Sequence, residues 1–471
     1  MKVILLSLIC FCICTNSKAQ AFLGLYGTEN SVTQVRENPA FAWHEDRMQL
    51  NFFGVGAEVG GNSLLFKRNI FNFLTTGTAT MDKNYFRNHN DQPDKMFFAN
   101  LELMGPGVSF RIQKRYFFTA SVGTRYLLNS DNLSDKVFNL MGVNPRLDSN
   151  IVDSFKVHNY SITGQVFQEL NLSYAGFFFE SEEYKLLGGA TVKILNGVGA
   201  AGMGIPDASF KIYKNDGVAY AANGIANIAF TPNANKWAIS NNPFRAMGVA
   251  SNNLGVGLDI GAVYYMNPNE GFQIKKGYVT RFAASITDIG SINYTASSTS
   301  GSYQVKDTVI VYRNIMNNND VTYGNRIFND YIIDSVARPT ASKKKMTVGL
   351  PTALHLNGDF KIQPRFFVNG NVLINLRRPS ADKYANHYIS TATVTPRYLL
   401  TKDITVALPF SFNAQKQGFL GAVVYVGPVY VGSGSLFQLA TSNSINNLSL
   451  YLGANLRIKP KKQKEKDMMM M

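Results

Sequence analysis

Apolar positions alternate with polar or small ones through most of the chain, in stretches of roughly ten residues separated by breaks. In Tyr116–Tyr126, the residues Tyr116, Phe118, Ala120, Val122 and Tyr126 share one face, and Thr119, Ser121, Gly123 and Arg125 share the other. Side chains alternate across a strand, so each stretch reads as a strand with one oily and one wet face. Gly255–Tyr264 repeats the pattern, with Val256, Leu258, Ile260, Ala262 and Tyr264 opposed to Gly255, Gly257, Asp259 and Gly261. Leu170–Phe178 does so again, with Leu170, Leu172, Tyr174 and Phe178 on the apolar side. A tilted strand of about 9–11 residues crosses a bilayer. The series therefore predicts an all-β transmembrane barrel rather than a soluble sandwich.

Fourteen antiparallel strands are expected, at roughly 47–59, 101–113, 116–128, 165–179, 184–196, 252–265, 278–293, 345–362, 365–377, 388–400, 403–413, 418–427, 428–436 and 447–458. Connections alternate between short turns, such as Lys114-Arg115 and Gln363-Pro364, and long loops at 60–100, 129–164, 197–251 and 294–344. Barrels of the outer membrane show this asymmetry, with short periplasmic turns and long external loops. An even strand count puts both ends in the periplasm. Within the loops, Asp131–Val143 reads as a short amphipathic helix. Ala208–Tyr213 and Val218–Ala222 read as a hairpin around Asn215-Asp216-Gly217.

The N-terminus adds an export signal: Lys2, an apolar run from Val3 to Cys14, and Ser17-Lys18-Ala19 at the cleavage position. This divides the chain into a signal peptide (1–19), an N-terminal periplasmic or plug segment (20–46), the barrel (47–458) and a basic periplasmic tail (459–471). All three cysteines, Cys10, Cys12 and Cys14, fall in the signal, so the processed chain would carry no disulfide and no thiolate chemistry. Aromatic residues make up 12% and charged residues only 16%, the latter low against the usual quarter or so. That balance suits a barrel in outer-membrane lipid. The net charge of +15 is scattered over loops and the tail without any nucleic-acid-binding motif, so no nucleic-acid partner is expected.

The five histidines, His44, His89, His158, His355 and His387, have no metal-ligand spacing. No nucleophile elbow, phosphate loop or dinucleotide fingerprint is present either. The chain reads as non-enzymatic, with no catalytic, cofactor or metal residues. Three features remain. Asn38-Pro39-Ala40 either makes a plain turn before the first strand or pins the N-terminal segment as a plug. Asp259, inside a strand, should face the lumen, either paired with a loop Lys or Arg or binding a substrate, because a carboxylate facing lipid is unfavourable. Asp288, in Thr287-Asp288-Ile289-Gly290 after the alternating run Phe282–Ile286, suits turn chemistry at a strand end or a ligand role.

Asn38-Pro39-Ala40, Asp259 in its glycine-spaced strand, Thr287–Gly290, Leu350-Pro351 and Gly427–Ser433 occur in an order that resembles a Bacteroidota outer-membrane barrel family catalogued as a domain of unknown function. That family is similar in turn to FadL-like transporters and to PorV-type barrels of type IX secretion. The resemblance implies a barrel with an N-terminal hatch, either carrying a small hydrophobic compound sideways through the wall or docking secretion or envelope proteins. The first role predicts a lumen blocked by Ala21–Ala42 with an apolar pocket beside it. The second predicts a tightly plugged lumen and function in the external loops 60–100, 197–251 and 294–344. The final strand ends at Arg457-Ile458, without the terminal aromatic usual for such barrels.

Overall fold

A computed structural model describes residues 31–458, except 45, 47, 63, 68–85, 89–94, 114, 134–152, 182, 214–217, 233–250, 267–277, 312–340, 343, 402 and 442–443. The expected signal peptide (1–19) and the expected basic tail (459–471) lie outside the described residues.

Fourteen antiparallel strands form one closed barrel. In chain order they are β1 (Met48–Gly61), β2 (Lys95–Ile112), β3 (Tyr116–Leu133), β4 (Asp153–Glu180), β5 (Tyr184–Tyr213), β6 (Leu254–Met266) and β7 (Thr280–Thr295). There follow β8 (Lys345–Gly349 and Ala353–Gln363), β9 (Phe366–Asn375), β10 (Thr391–Leu399) and β11 (Ile404–Ala407 and Phe410–Asn413). The last are β12 (Gly418–Leu420 and Ala422–Val426), β13 (Val429–Ser433) and β14 (Asn447–Ile458). Each strand pairs with its sequence neighbours, and β14 returns to β1 from Met48↔Ile458 to Gly60↔Asn447. Both ends of the barrel therefore reach the short-turn rim, and no sheet edge is left open around the wall.

The alternation sets the two faces. Along β3, Tyr116, Phe118 and Val122 are exposed on the outside, and Phe117, Thr119, Ser121 and Arg125 are buried inside. Phe110, Phe118, Tyr116 and Tyr174 stack across β2, β3 and β4 with ring centroids 5.1–6.0 Å apart, and Phe179 stacks on Tyr184 at 5.1 Å. These rings form an outward aromatic girdle at the short-turn rim, where an apolar band meets water.

Several strands run further than the alternation indicates. β4 and β5 have 28 and 30 residues, starting at Asp153 rather than 165 and ending at Tyr213 rather than 196. The extra part of β4 carries polar residues on both faces (Lys156, His158, Asn159, Ser161, Thr163), so no oily face marks it. Above the wall, β5 pairs with the strand Val218–Phe230, and that strand pairs with Gly301–Val311. The expected hairpin partners meet at Tyr213↔Val218, while its turn lies outside the described residues. Asp131–Leu133, the start of the expected helix, continues β3 instead. The remainder of that stretch, 134–143, lies outside the described residues.

The lumen is filled in three layers. Near the short-turn rim, Phe117, Phe177, Leu187, Val263, Tyr265 and Tyr278 pack on Val35, Ala40, Phe41 and Ala42. Toward the long-loop rim, Leu127, Phe167, Leu195, Ile292, Val348 and Leu350 form a second apolar cluster. Charged side chains lie between them.

Candidate functional site: the segments and charges that fill the lumen

The lower filling comes from the chain before β1. A four-residue helix, Ser31–Gln34, leads to the 3-10 turn Pro39–Ala42. Proline fixes its own φ and suits the first position of such a turn, and the Asn38 side chain caps it by accepting from the Ala40 amide at 2.9 Å. The same side chain donates through Nδ2 to the carbonyls of Ala262 (3.1 Å) and Ala284 (3.0 Å), facing residues of β6 and β7. One amide thus makes the local turn and fastens it to the wall. The wall is shaped to receive it. A Cβ on Gly189 would stand 2.6 Å from the Ala40 nitrogen and the Pro39 carbonyl carbon, and one on Gly261 would stand 2.2 Å from Asn38 Oδ1. Glycine on these lumen positions lets the segment lie directly against the sheet.

The upper filling comes from the connection between β9 and β10, residues 376–390, which crosses the lumen to the opposite wall. Ala381 accepts no nearer approach than glycine permits: a Cβ on Gly204 would stand 1.8 Å from its carbonyl oxygen. Gly202 likewise faces the Tyr384 ring. Asn386 donates to Asn129 Oδ1 (2.8 Å), Asn129 donates to the His387 carbonyl (3.0 Å), and the His387 ring stands 2.9 Å from Asp131. At its end, the Tyr388 hydroxyl donates to Asp288 Oδ2 (3.0 Å) and bonds Arg125.

Asp288 does not end a strand. It lies within β7 at a bulge where the register with β6 shifts between Ile286 and Ile289. Its φ of 56° is left-handed, and Gly290, at φ 157°, could not carry a Cβ because Val256 O would be 2.1 Å away. A bulge leaves a residue outside the ladder, so the Asp288 backbone needs other partners. Its N–H donates to Asp259 Oδ1 (2.7 Å), and its carbonyl accepts from the Thr352 hydroxyl (2.7 Å). Opposite the bulge, β8 is broken at Leu350-Pro351-Thr352, where the ladder between β7 and β8 lapses. Arg377 donates into this break, to the carbonyls of Gly290 (3.1 Å) and Leu350 (3.2 Å).

Asp259 faces the lumen, fully buried. Its ionic partner is Lys193 of the adjacent strand β5, at 2.9 Å, rather than a loop cation. Lys193 also contacts Asp288 at 2.7 Å, and Arg125 contacts Asp288 at 3.0 Å and Glu102 at 3.3 Å. Arg36, from the lower segment, reaches Glu169 at 2.5 Å and Glu102 at 3.3 Å. A continuous charged layer therefore joins the wall, the lower segment through Arg36 and the upper segment through Tyr388. Burial alone would favour the neutral Arg36 side chain, but Glu169 and Glu102 outweigh it and hold the guanidinium charged.

Sequence reasoning singled out Asn38, Pro39, Ala40, Asp259 and Asp288; the structure brings Asn38 against β6 and β7, and the two aspartates onto one bulge. It missed Glu102, Arg125, Glu169, Lys193 and the whole upper segment. The readable signal was the parity of each charge: all four side chains fall on wet positions of strands whose other face is oily. The cavity beside the lower segment, about 70 Å³, is lined by many charged and polar residues, with apolar surface from Ala57, Met104, Leu373 and the Tyr451 ring among them.

Among solved structures, the chain is similar to the toluene transporter TbuX of Ralstonia pickettii (13% identity, TM-score 0.40, 93% of this chain and 96% of that one). It is similar also to the toluene transporter TodX of Pseudomonas putida (8%, 0.38, 93% and 95%) and to a Pseudomonas aeruginosa FadL homologue (12%, 0.26, 93% and 97%). Likeness this distant decides neither cargo nor mechanism. No curated protein sequence matches the chain significantly. Residues 39–434 match the family of unknown function DUF5723, from Asn38's neighbour Pro39 through the end of β13, and the chain belongs to that family.

Proposed function

We propose that the protein is a non-enzymatic outer-membrane barrel that binds or passes a small hydrophobic compound, with residues 31–44 plugging its periplasmic mouth and residues 376–390 its outer one. A cylinder whose outside is apolar on every second residue, with aromatic rings at one rim, suits a hydrocarbon surround. The observation that carries the reading is the lapse in the ladder between β7 and β8. There Ile289 is exposed on the outer face and Leu350 is fully buried in the upper apolar cluster. Oily groups thus stand on both sides of a wall whose ladder is reduced at that point to one backbone bond, from the Leu350 N–H to the Gly290 carbonyl (3.1 Å), with the Thr352 hydroxyl on the Asp288 carbonyl beside it. A small apolar molecule leaving the membrane core would meet Leu350, Val348 and Ile292 without crossing the charged layer. Arg377, bonded to both sides of the break, would have to move, and the Leu350 N–H to Gly290 bond would have to open with it.

The test is uptake of an aromatic hydrocarbon by cells producing the protein, by cells lacking it, and by cells producing Leu350→Glu. Faster uptake with the native chain, abolished by the substitution, is expected. Equal uptake in all three overturns the reading. One observation favours a second role, as a docking barrel in envelope assembly or protein secretion: both mouths are closed by hydrogen-bonded segments. Recovery of a stoichiometric protein partner with the detergent-purified barrel, together with equal hydrocarbon uptake, would favour it.

A further inference from the structure

Two carboxyl groups beside the charged layer take no part in its ion pairs. Three cations (Arg36, Arg125, Lys193) and four carboxylates (Glu102, Glu169, Asp259, Asp288) contact one another on the side of β2 to β7. Two more carboxyl groups line the cavity: Glu58, from β1, and Glu37, from the lower segment, whose carbonyl accepts from Ser285 of β7. Among the described residues neither has a cation within ion-pair distance. Glu58 accepts one hydrogen bond, from Asn447 at 2.9 Å. Burial holds the Glu37 carboxyl well above the usual carboxylate range, against the pull of Arg281 and with help from Glu102.

Two buried polar atoms in residues lining the same cavity have no hydrogen-bond partner among the described residues. Tyr451, 2% exposed, lines it with a hydroxyl that makes no hydrogen bond. His355, 7% exposed, lines it as well; its Nε2 stands 2.9 Å from Thr287 Oγ1 and its Nδ1 has no partner. Buried polar groups are nearly always satisfied, so such orphans mark a missing partner. The carboxyl groups and the phenol oxygen can each accept from a donor in the cavity, and His355 Nδ1 can do so when Nε2 carries the proton and donates to Thr287. Among the described residues no three His, Cys, Asp or Glu side chains are grouped closely enough to hold a metal ion. A donor suited to two neighbouring carboxyl groups is a cation, and an ammonium supplies its charge and its hydrogen bonds together. Met104, Leu373 and the Tyr451 ring supply apolar surface beside the acceptors.

We propose that this cavity is a binding site for a small amphipathic amine, its ammonium held by Glu58 and Glu37 with Tyr451 and His355 as further acceptors, and its apolar part laid on Met104 and Leu373. An ammonium brings three donors and no acceptor, which matches the set. The inference rests on the reading that the lumen admits a small hydrophobic compound, and it narrows the class.

The experiment is isothermal titration of the detergent-purified barrel with three compounds of similar size: phenethylamine, hydrocinnamate and propylbenzene. Phenethylamine is expected to bind about tenfold more tightly than the other two, the gain usual for a charge-assisted hydrogen bond. In Glu58→Gln and in Glu37→Gln its preference over propylbenzene should fall by about the same factor, with heat-modifiable gel migration reporting that the barrel is folded. Displacement of bound propylbenzene by phenethylamine from the native protein tests the same preference without any variant. Equal binding of the amine, the acid and the hydrocarbon, or an unchanged preference in both folded variants, overturns the amine site while leaving the hydrophobic-compound reading in place. Binding of none of the three overturns both.

Discussion

The two segments that lie across the lumen are held with a different balance of apolar and polar contacts. The lower one, residues 31–44, buries Val35, Phe41 and Ala42 in apolar packing and adds scattered polar anchors, Asn38 on Ala262 and Ala284, Arg36 on Glu169 and Glu102, and Ser31 on Gln49. The upper one, residues 376–390, is anchored by a row of polar contacts: Asn386 on Asn129, His387 on Asp131, Tyr388 on Asp288. Both lie on lumen glycines, Gly189 and Gly261 below, Gly202 and Gly204 above. The shared device is a strip of wall without side chains, and the difference is how the segment is fixed once it lies there. Apolar packing is undirected and tolerates small shifts, whereas hydrogen bonds between buried groups fix one arrangement and become costly when broken. The upper closure is thus the more sharply specified of the two.

The strongest way to break this comparison is to add side chains to both strips. Gly189→Val pushes a methyl group into the backbone of Pro39 and Ala40, and Gly204→Val does the same to Ala381, where no flexible side chain can yield. If each segment closes the lumen alone, either single substitution leaves the barrel non-conducting in a planar bilayer, and the double substitution opens it. Conductance in a single variant would show that one of the segments seals nothing by itself.

A smaller effect is expected at the node between them. Asp288 faces Arg125 and Lys193 and accepts from Tyr388. Asp288→Ala leaves two buried cations with a lost partner, a change that costs about 3–5 kcal/mol. The measurement is the temperature at which gel migration converts from the folded to the unfolded form. Because Arg125 and Glu102 pass the contact on to Arg36, protease cleavage should increase in both the 31–44 and the 376–390 segments. An increase in the upper one alone would mean that the charged layer does not couple them.

Asn38→Ala comes next. It removes a turn cap and two hydrogen bonds to the wall, worth about 1–2 kcal/mol together. It should raise hydrogen exchange in the lower segment only. Equal exchange in both segments would contradict their separate anchoring.

The contrast also explains what could be read from the chain. The fourteen strands were legible because lipid outside and wet lumen inside impose a period of two on every wall segment, as in Tyr116–Tyr126. The lower segment was legible in part because Asn38-Pro39 is a local signal. Residues 376–390 left no such trace: they follow β9 as a short polar connection, and nothing local says that Asn386 will meet Asn129 across the lumen. The charged layer was hidden for a related reason. Parity puts Glu102, Arg125, Glu169 and Lys193 inside, but which of them share a height depends on the stagger of every strand around the barrel. Asp288 misled because a residue outside the ladder looks, in one dimension, like the end of a strand. The polar upper parts of β4 and β5 were lost because water on both sides removes the alternation itself.

The smallest predicted effect concerns acid and the lower segment. His44, just before β1, sets its Nδ1 2.9 Å from the Asp46 carbonyl and its Nε2 3.2 Å from the Ser109 hydroxyl. Burial lowers its pKa from 6.5 to about 4, more than Asp46 raises it, and Arg111 lowers it further. In the docked segment the ring stays neutral, while a released ring takes up a proton once the pH falls below its ordinary value. The released state then binds more protons, so docking loses stability as the pH falls through 6.5 and stops losing it near 4. Glu37 acts in the opposite sense, since its raised pKa lets the docked segment take up a proton first. The contribution of His44 is therefore the difference between the native protein and His44→Gln. Hydrogen exchange in residues 31–44 should accelerate on acidification more in the native chain than in the variant, across that interval and not above it. Parallel curves for the two proteins would show that His44 carries no share of the pH dependence of the segment's docking.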